Sequence, residues 1–270
     1  MSNPKTIVIT GSTKGIGFGL AEEFLKHGHN VVISGRNGEA IDNALAKLNK
    51  YTDYKKPDGA RVEGYFCDVT NYDNHEKLFN FASDVFGRVD IWINNAGISL
   101  PRHMLWEQPK DNHDAIIAAN LTSAIYGSQV AIKGMLAQGG GYVFNMEGHG
   151  SNGRIIPGMT VYGATKSGLT YFTKSLAAET KDTSVKVCLL SPGMVATDLL
   201  MVDYQDSPEK FEAIKRMLNI LVDKVETVTP FLVEKILAEP KNGSQIAWLT
   251  TGKIMFRFMT SSFIKRKIFD

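Results

Sequence analysis

The stretch TIVITGSTKGIG at residues 6–17 restricts what this chain can fold into more than any other. Residues 6–10 are a β-branched run stopped at once by Gly11, which reads as a buried strand entering a tight turn. From residue 15 to 27 the apolar residues Ile16, Leu20, Phe24 and Leu25 recur at helical spacing. A strand that passes through glycines straight into a helix aims backbone N–H groups and the positive helix end at one point, a place for a phosphate. Gly11 permits the turn, Gly15 lets a ligand approach the backbone, and Gly17 lets the helix pack on the strand. With Ser12, Thr13, Lys14 and Ile16 they form a candidate dinucleotide loop.

The strand–helix pattern repeats along the chain. Further strands are expected at residues 30–35, 61–67, 89–94, 142–146, 185–190 and 244–249. Helices are expected at 39–49, 71–86 and 114–135, on the segment carrying Tyr162, and two or three times within 197–239. Residues 50–60, with Pro57, read as a charged loop. Unbroken alternation predicts an α/β fold: a single-domain, Rossmann-type doubly wound parallel sheet of about seven strands with helices on both faces. The domain is expected to span residues 1–250, including a substrate loop and the helices of 197–239, followed by a basic, apolar extension at 251–270.

In such sheets an acid closing the second strand holds the ribose hydroxyls of NAD. Here Ser34-Gly35 is followed by Arg36 and Asn37, and Lys14 adds a second cation from the glycine loop. Two cations in place of a carboxylate favour a 2′-phosphate, so the expected cofactor is NADPH/NADP+. The plain alternative is a solvated Arg and Lys at two helix starts. The balance of 30 basic against 28 acidic residues argues against a nucleic-acid partner. Cys67 and Cys188 lie in apolar runs and read as reduced, buried thiols; the six histidines form no ligand cluster, so no metal is expected.

Tyr162 and Lys166 are four apart on an expected helix, which puts them on one face. An ammonium one turn away is expected to favour the phenolate and lower the tyrosine's pKa from its usual ~10. Such a pair suits proton exchange with a carbonyl or an alcohol. Alone, the spacing is common by chance and reads more readily as two surface residues on an amphipathic helix.

Three more stretches complete a pattern: Cys67-Asp68-Val69, Asn94-Asn95-Ala96-Gly97 and Ser191-Pro192-Gly193-Met194-Val195-Ala196-Thr197. With the glycine loop and YGATK at 162–166, the chain resembles the short-chain dehydrogenases/reductases over residues 5–250. The resemblance implies that Asp68 and Val69 face the adenine and that Asn95, Ala96 and Gly97 support the cofactor. It implies that Lys166 holds the nicotinamide ribose while Tyr162 acts as the acid. Pro192, Gly193, Val195 and Thr197 would lie along the nicotinamide half. Asn120, within AANLTSAIYG, matches the family's helix asparagine, which orders a water in the proton relay.

One departure is informative. The family usually carries a serine thirteen residues before the tyrosine; here that count lands on His149, in the loop Glu147-Gly148-His149-Gly150-Ser151. The hydroxyl facing the substrate carbonyl would come from Ser151, the favoured candidate, or from His149, a backbone N–H, or nowhere. FNMEGHGS, YGATKSGLTYFTKSLAAE and SPGMVATDLLM together resemble the chlorophyll(ide) b reductases, where an acid–glycine pair replaces the serines. That resemblance implies reduction of the formyl group of chlorophyll(ide) b to 7-hydroxymethyl chlorophyll(ide) a. The alternatives are a general NADPH-dependent reductase of lipophilic aldehydes and ketones, or an NADP(H)-binding sensor without chemistry.

Apolar residues cluster after the fourth and sixth strands, and the carboxyl ends of strands are where ligands bind in such sheets. Glu147, His149, Met194, Leu199 and Leu200 are the candidate substrate residues, for a small-molecule carbonyl that is large and apolar. The tail KIMFRFMTSSFIKRKIFD either packs on the chain or a partner subunit, or makes peripheral contact with an anionic membrane. No apolar run of ~18 residues is evident. A first strand at residue 6 leaves little room for a leader, so a cytoplasmic protein is expected, in the plastid stroma only if a transit peptide has been removed. The resemblance implies a homodimer or homotetramer.

Overall fold

The computed structural model describes residues 4–53, 59–202, 204 and 208–269; the remainder, including Pro57 and Asp270, lies outside the described residues. Among the described residues, seven strands alternate with ten α-helices. The strands are β1 (Thr6–Ile9), β2 (Asn30–Gly35), β3 (Val62–Phe66), β4 (Ile91–Asn94), β5 (Gly141–Met146), β6 (Val185–Ser191) and β7 (Gln245–Ala247). The helices of the first half are α1 (Gly15–Lys26), α2 (Gly38–Leu48), α3 (Tyr72–Phe86), α4 (Lys110–Ile117) and α5 (Ser123–Ala137). Those of the second half are α6 (Thr160–Glu179), α7 (Asp198–Met201), α8 (Pro208–Leu221), α9 (Val225–Leu237) and α10 (Thr251–Thr260).

The strands form one parallel sheet in the order β3-β2-β1-β4-β5-β6-β7. This is the doubly wound arrangement expected from the alternation. The order reverses between β1 and β4, which opens a crevice at their carboxyl ends. Both sheet faces are covered, so β1 and β4 are buried throughout. Successive side chains point to opposite faces. Ile7 and Ile9 therefore pack with Leu20, Phe24, Leu232 and Ile236 on one side, while Val8 packs with Leu78, Trp92, Val130 and Met135 on the other.

The expected single helix at 114–135 is longer and not uniform. It starts at Lys110, and a wider π-turn (Ala118–Thr122) separates α4 from α5. A π-turn inserts one residue, and such turns recur at functional positions. The whole run Lys110–Ala137 is long and apolar enough to cross a membrane by length and composition, though none was expected; it is half buried against the sheet and its neighbours. β7 is shorter than expected because only Gln245–Ala247 pair with β6.

Candidate active site

The carboxyl ends of β1, β4, β5 and β6 meet at the crevice. Thr10 anchors the glycine loop to β4: its hydroxyl accepts from the N–H groups of Asn95 and Ala96, each at 3.1 Å. Asn95 Nδ2 donates to the Thr10 and Gly11 carbonyls at 2.9 Å. Gly11 and Gly15 take φ of +61° and +60°, the left-handed region that favours glycine. A Cβ at position 17 would lie 2.8 Å from the Gly11 carbonyl oxygen. α1 starts with no side-chain cap and no acid in its first turn. Its orphan N–H groups therefore suit a pyrophosphate, and the loop fits a dinucleotide.

The other loop residues divide by orientation. Ser12 braces the loop from within: its N–H donates to the Ser34 carbonyl at 2.9 Å and its hydroxyl to Ile9 at 2.7 Å. Thr13 packs against Gly35 at the end of β2, where Arg36 is exposed. Asn37 caps α2 by accepting from Ala40 N–H at 2.8 Å. Lys14 reaches across to α7 and pairs with Asp198 at 2.6 Å. Asp68 accepts from the N–H and hydroxyl of Thr70, and the Val69 carbonyl meets His75 Nε2 at 2.8 Å. Pro192 is buried in the loop after β6, and Gly193, at φ +76°, packs on Leu249. Val195 is buried and Thr197 faces Gly15.

α6 places Tyr162 and Lys166 beside the end of β5. Lys166 Nζ donates to the Met146 carbonyl at 3.0 Å and lies 6.0 Å from the Tyr162 ring centroid. From the other side, the π-turn presents Asn120, whose Oδ1 accepts from Ile98 N–H at 2.7 Å and whose Nδ2 donates to the Ile98 carbonyl at 2.9 Å. Gly97 sits between them: a Cβ there would lie 3.0 Å from Asn120 Oδ1 and 3.9 Å from Lys166 Nζ.

Electrostatically the pair differs from expectation. Burial pushes the Tyr162 phenol up to about 12 rather than down. Burial brings Lys166 down to about 8, against the opposing pull of Glu147. Away from water, the cost of a buried phenolate outweighs the nearby ammonium. Burial therefore keeps the Tyr162 phenol protonated at neutral pH.

The loop after β5 also differs. Ser151 Oγ accepts from Gly148 N–H and donates to the Lys166 carbonyl, both at 3.3 Å, so the expected substrate-facing hydroxyl is engaged with backbone. Gly148 lies directly against the Tyr162 hydroxyl. Glu147 is buried; its carboxylate meets Thr170 Oγ1 at 3.0 Å and accepts from Gln245 Nε2 at 2.5 Å. It is thereby tied to α6 and β7. His149 is half-buried, with no hydrogen-bond partner on Nε2 among the described residues. Burial, then Arg102 and Arg154, hold its pKa below the usual histidine value.

Ser99, Leu100, Gln108, Ile116, Met159 and Tyr162 line a narrow cleft. Trp106, Ile155 and Leu199 are exposed on the surrounding segments, while Met194 and Leu200 are half-buried. Arg102 spans two of these segments, donating to the Tyr204 hydroxyl at 3.4 Å. Sequence reasoning missed Ser99 and Gln108 as polar cleft residues. It also missed a buried amide network: Asn94 Nδ2 donates to Asn145 Oδ1 at 2.8 Å and to Ser128 at 3.0 Å, while Asn145 Nδ2 donates to Thr173 at 3.0 Å. Two asparagines near the carboxyl ends of neighbouring strands were its only signal.

The chain belongs to the short chain dehydrogenase family, whose model matches residues 5–208. These are oxidoreductases that act on carbonyl and hydroxyl groups with a nicotinamide dinucleotide. Within the family, the chain is 35% identical over 280 residues to the probable chlorophyll(ide) b reductase NYC1, chloroplastic, of Arabidopsis thaliana. It is 38% identical over 275 residues to chlorophyll(ide) b reductase NOL, chloroplastic, of the same plant. Both alignments cover 100% of this chain, but only 55% of the first relative and 74% of the second. The chain thus spans about half the length of NYC1. In fold it is similar to levodione reductase, with a TM-score of 0.80 at 22% identity, covering 92% of this chain and 97% of that one.

Proposed function

We propose that this chain is an NADPH-dependent reductase of a carbonyl on a large apolar substrate, with the formyl group of chlorophyll(ide) b as the leading substrate and 7-hydroxymethyl chlorophyll(ide) a as product. The observation that carries the reading is the buried Tyr162 beside Lys166 at a cleft surrounded by exposed apolar side chains. The names of the two plant relatives support the choice of substrate. Their chloroplastic location makes the plastid stroma the compartment to test against the cytoplasm. Exposed Leu136 on α5 and Tyr171 on α6 support a homodimer or homotetramer built on those helices.

Bound NADPH supplies the hydride from C4 of its nicotinamide. The glycine loop and the start of α1 would hold the pyrophosphate, and Arg36 and Lys14 would meet the 2′-phosphate. Asp68 and Val69 would border the adenine, with Asn95, Ala96 and Gly97 supporting the crevice. Lys166 would hold the nicotinamide ribose, and Val195 and Thr197 the carboxamide side. As negative charge develops on the carbonyl oxygen, Tyr162 donates its proton there. The resulting phenolate is stabilised by the Lys166 ammonium and reprotonated along a path that Asn120 keeps ordered.

The test is NADPH oxidation with chlorophyllide b and with a panel of lipophilic aldehydes and ketones. Turnover is expected with chlorophyllide b. Turnover on the panel alone would make the chain a general carbonyl reductase, and tight NADPH binding with no turnover would make it a sensor. Tyr162→Phe is expected to slow reduction by about 100- to 10,000-fold. A rate within a few-fold of the parent would place the acid elsewhere.

A further inference from the structure

Asp223 lies in the connection between α8 and α9 and is 2% exposed. Its backbone pairs with the loop after β6: Asp223 N–H donates to the Met194 carbonyl, and its own carbonyl accepts from Ala196 N–H, both at 2.9 Å. Its carboxylate accepts from Trp248 Nε1 at 2.7 Å, from Arg257 Nη2 at 2.8 and 3.0 Å, and from Arg266 Nη2 at 2.5 Å. The two guanidinium groups also cover the end of α8. Arg257 Nη1 donates to the Leu221 carbonyl at 3.1 Å, and Arg266 donates to the carbonyls of Ile220 and, at 2.9 Å, Val222. Those are the carbonyls a helix leaves without partners in its last turn, where cations are favoured.

The apolar side chains of the tail contribute less. α10 buries no side chain, and Met255, Phe256, Met259 and Phe263 stand 60%, 60%, 74% and 89% exposed. Asn219 adds hydrogen bonds to the backbone N–H groups of Ile268 and Phe269 at 2.8 Å, and Phe269 packs edge-on against Phe211. Among the described residues, the ion pairs of both tail arginines fall on one carboxylate, and that residue also pins the loop carrying Val195 and Thr197. A buried carboxylate with two guanidinium partners tolerates the loss of neither side easily.

We propose that the C-terminal tail is a brace for the cofactor loop, in which Arg257 and Arg266 act through Asp223 to position residues 194–197. The proposal rests on the reading that Val195 and Thr197 lie along the nicotinamide. Arg257 and Arg266 are positioning residues that act through Asp223 and the end of α8. Because loop and tail share Asp223, the coupling is reciprocal: a cofactor that orders the loop also holds the tail down.

The first measurement uses the unaltered chain. NADP+ affinity is determined by titration, and trypsin cleavage at residues 265–267 is followed by mass spectrometry with and without saturating NADP+. Cleavage is expected to slow about tenfold when the cofactor binds, a typical size for coupling between sites. No NADP+ binding would overturn the cofactor reading and the brace together. Binding with an unchanged cleavage rate would overturn the brace alone.

The second measurement uses the variants Arg266→Lys and Arg257→Met/Arg266→Met, with Asp223→Asn as a neutral isostere. The double variant is expected to raise KM for NADPH about tenfold with kcat within about twofold, and Arg266→Lys to fall between it and the parent. Equal KM values in parent and double variant, with circular dichroism showing both folded, would overturn the brace. Where a variant fails to fold, the cleavage measurement on the parent chain decides.

Discussion

A Cβ at position 148 would lie 2.6 Å from the Tyr162 hydroxyl oxygen, closer than real Cβ atoms approach a neighbour. The same Cβ would meet Lys166 Cε at 3.1 Å. The residue after Glu147 is therefore glycine because the phenol occupies the space a side chain would need. A serine here, Gly148→Ser, is expected to displace the phenol. A misplacement of about an ångström costs on the order of 100-fold in rate. The variant should lose about that factor in kcat while binding NADPH within about twofold of the parent, as steady-state kinetics and a cofactor titration would show. An unchanged kcat would mean that the phenol has room to move without consequence.

The pH dependence follows from Lys166. Burial lowers its pKa to about 8, so it is an ammonium below that value and neutral above it. Tyr162 keeps its proton to about 12, so the phenol does not titrate in the same window. Reduction should be nearly independent of pH below about 8 and decline as pH rises through it, because the neutral amine no longer stabilises the phenolate. Glu147 raises the Lys166 value by its charge. Glu147→Gln should consequently move the decline to lower pH, with Glu147→Asp between. A pH profile of kcat/KM with the decline at the same position in Glu147→Gln would remove Glu147 from the electrostatics of the site.

How far the sequence reached depends on how local each feature is. The seven strands, the glycine loop and the Tyr162–Lys166 face follow from short-range spacing and were legible. The π-turn at Asn120 was not, because one inserted residue leaves the apolar stripe of a long helix nearly unchanged. The rise in the Tyr162 pKa depends on burial by segments remote in sequence. The commitment of Ser151 to backbone partners depends on how the loop lies on α6. Asp223 read only as one charge between two helices; its partners are 25, 34 and 43 residues away, and no pattern announces such a pair.

The proposed preference for NADPH draws on Lys14. Its pair with Asp198 is exposed on both sides, at 75% and 71%, so it contributes little to stability and exchanges easily for a phosphate. Lys14→Ala should raise KM for NADPH by about tenfold, as expected for one charge-assisted hydrogen bond, and leave KM for NADH nearly unchanged. Asp198→Asn should lower KM for NADPH, since Lys14 is then no longer held by a carboxylate. Parallel titrations of the two cofactors check both; equal effects on NADPH and NADH would show that Lys14 does not meet the 2′-phosphate.

The amide network under the site joins stability to activity. Asn94 Oδ1 accepts from Trp92 Nε1 at 2.8 Å, while its Nδ2 reaches Asn145, Ser128 and the Ala124 carbonyl. These bonds tie β4 and β5 to α5, and Asn145 extends the tie to α6 through Thr173. Asn94→Ala would leave the Trp92 indole N–H and Asn145 Oδ1 buried with fewer partners and open a small void. Each buried group left unsatisfied costs about 1–3 kcal/mol, so a loss of roughly 3 kcal/mol is expected in urea unfolding. Because α6 carries Tyr162 and the helix through α5 carries Asn120, kcat should fall more than the affinity for NADPH, which rests mainly on the loop after β1. Asn94→Asp keeps the acceptor for Trp92 but replaces the donor to Asn145 with a buried carboxylate, and should be more destabilising than Asn94→Ala. Trp92 Nε1 and the Ala124 carbonyl fix the direction of the Asn94 amide, so an Asn94→Asp variant as stable as the parent would show that the Nδ2 bonds contribute little to holding β4 and β5 to α5.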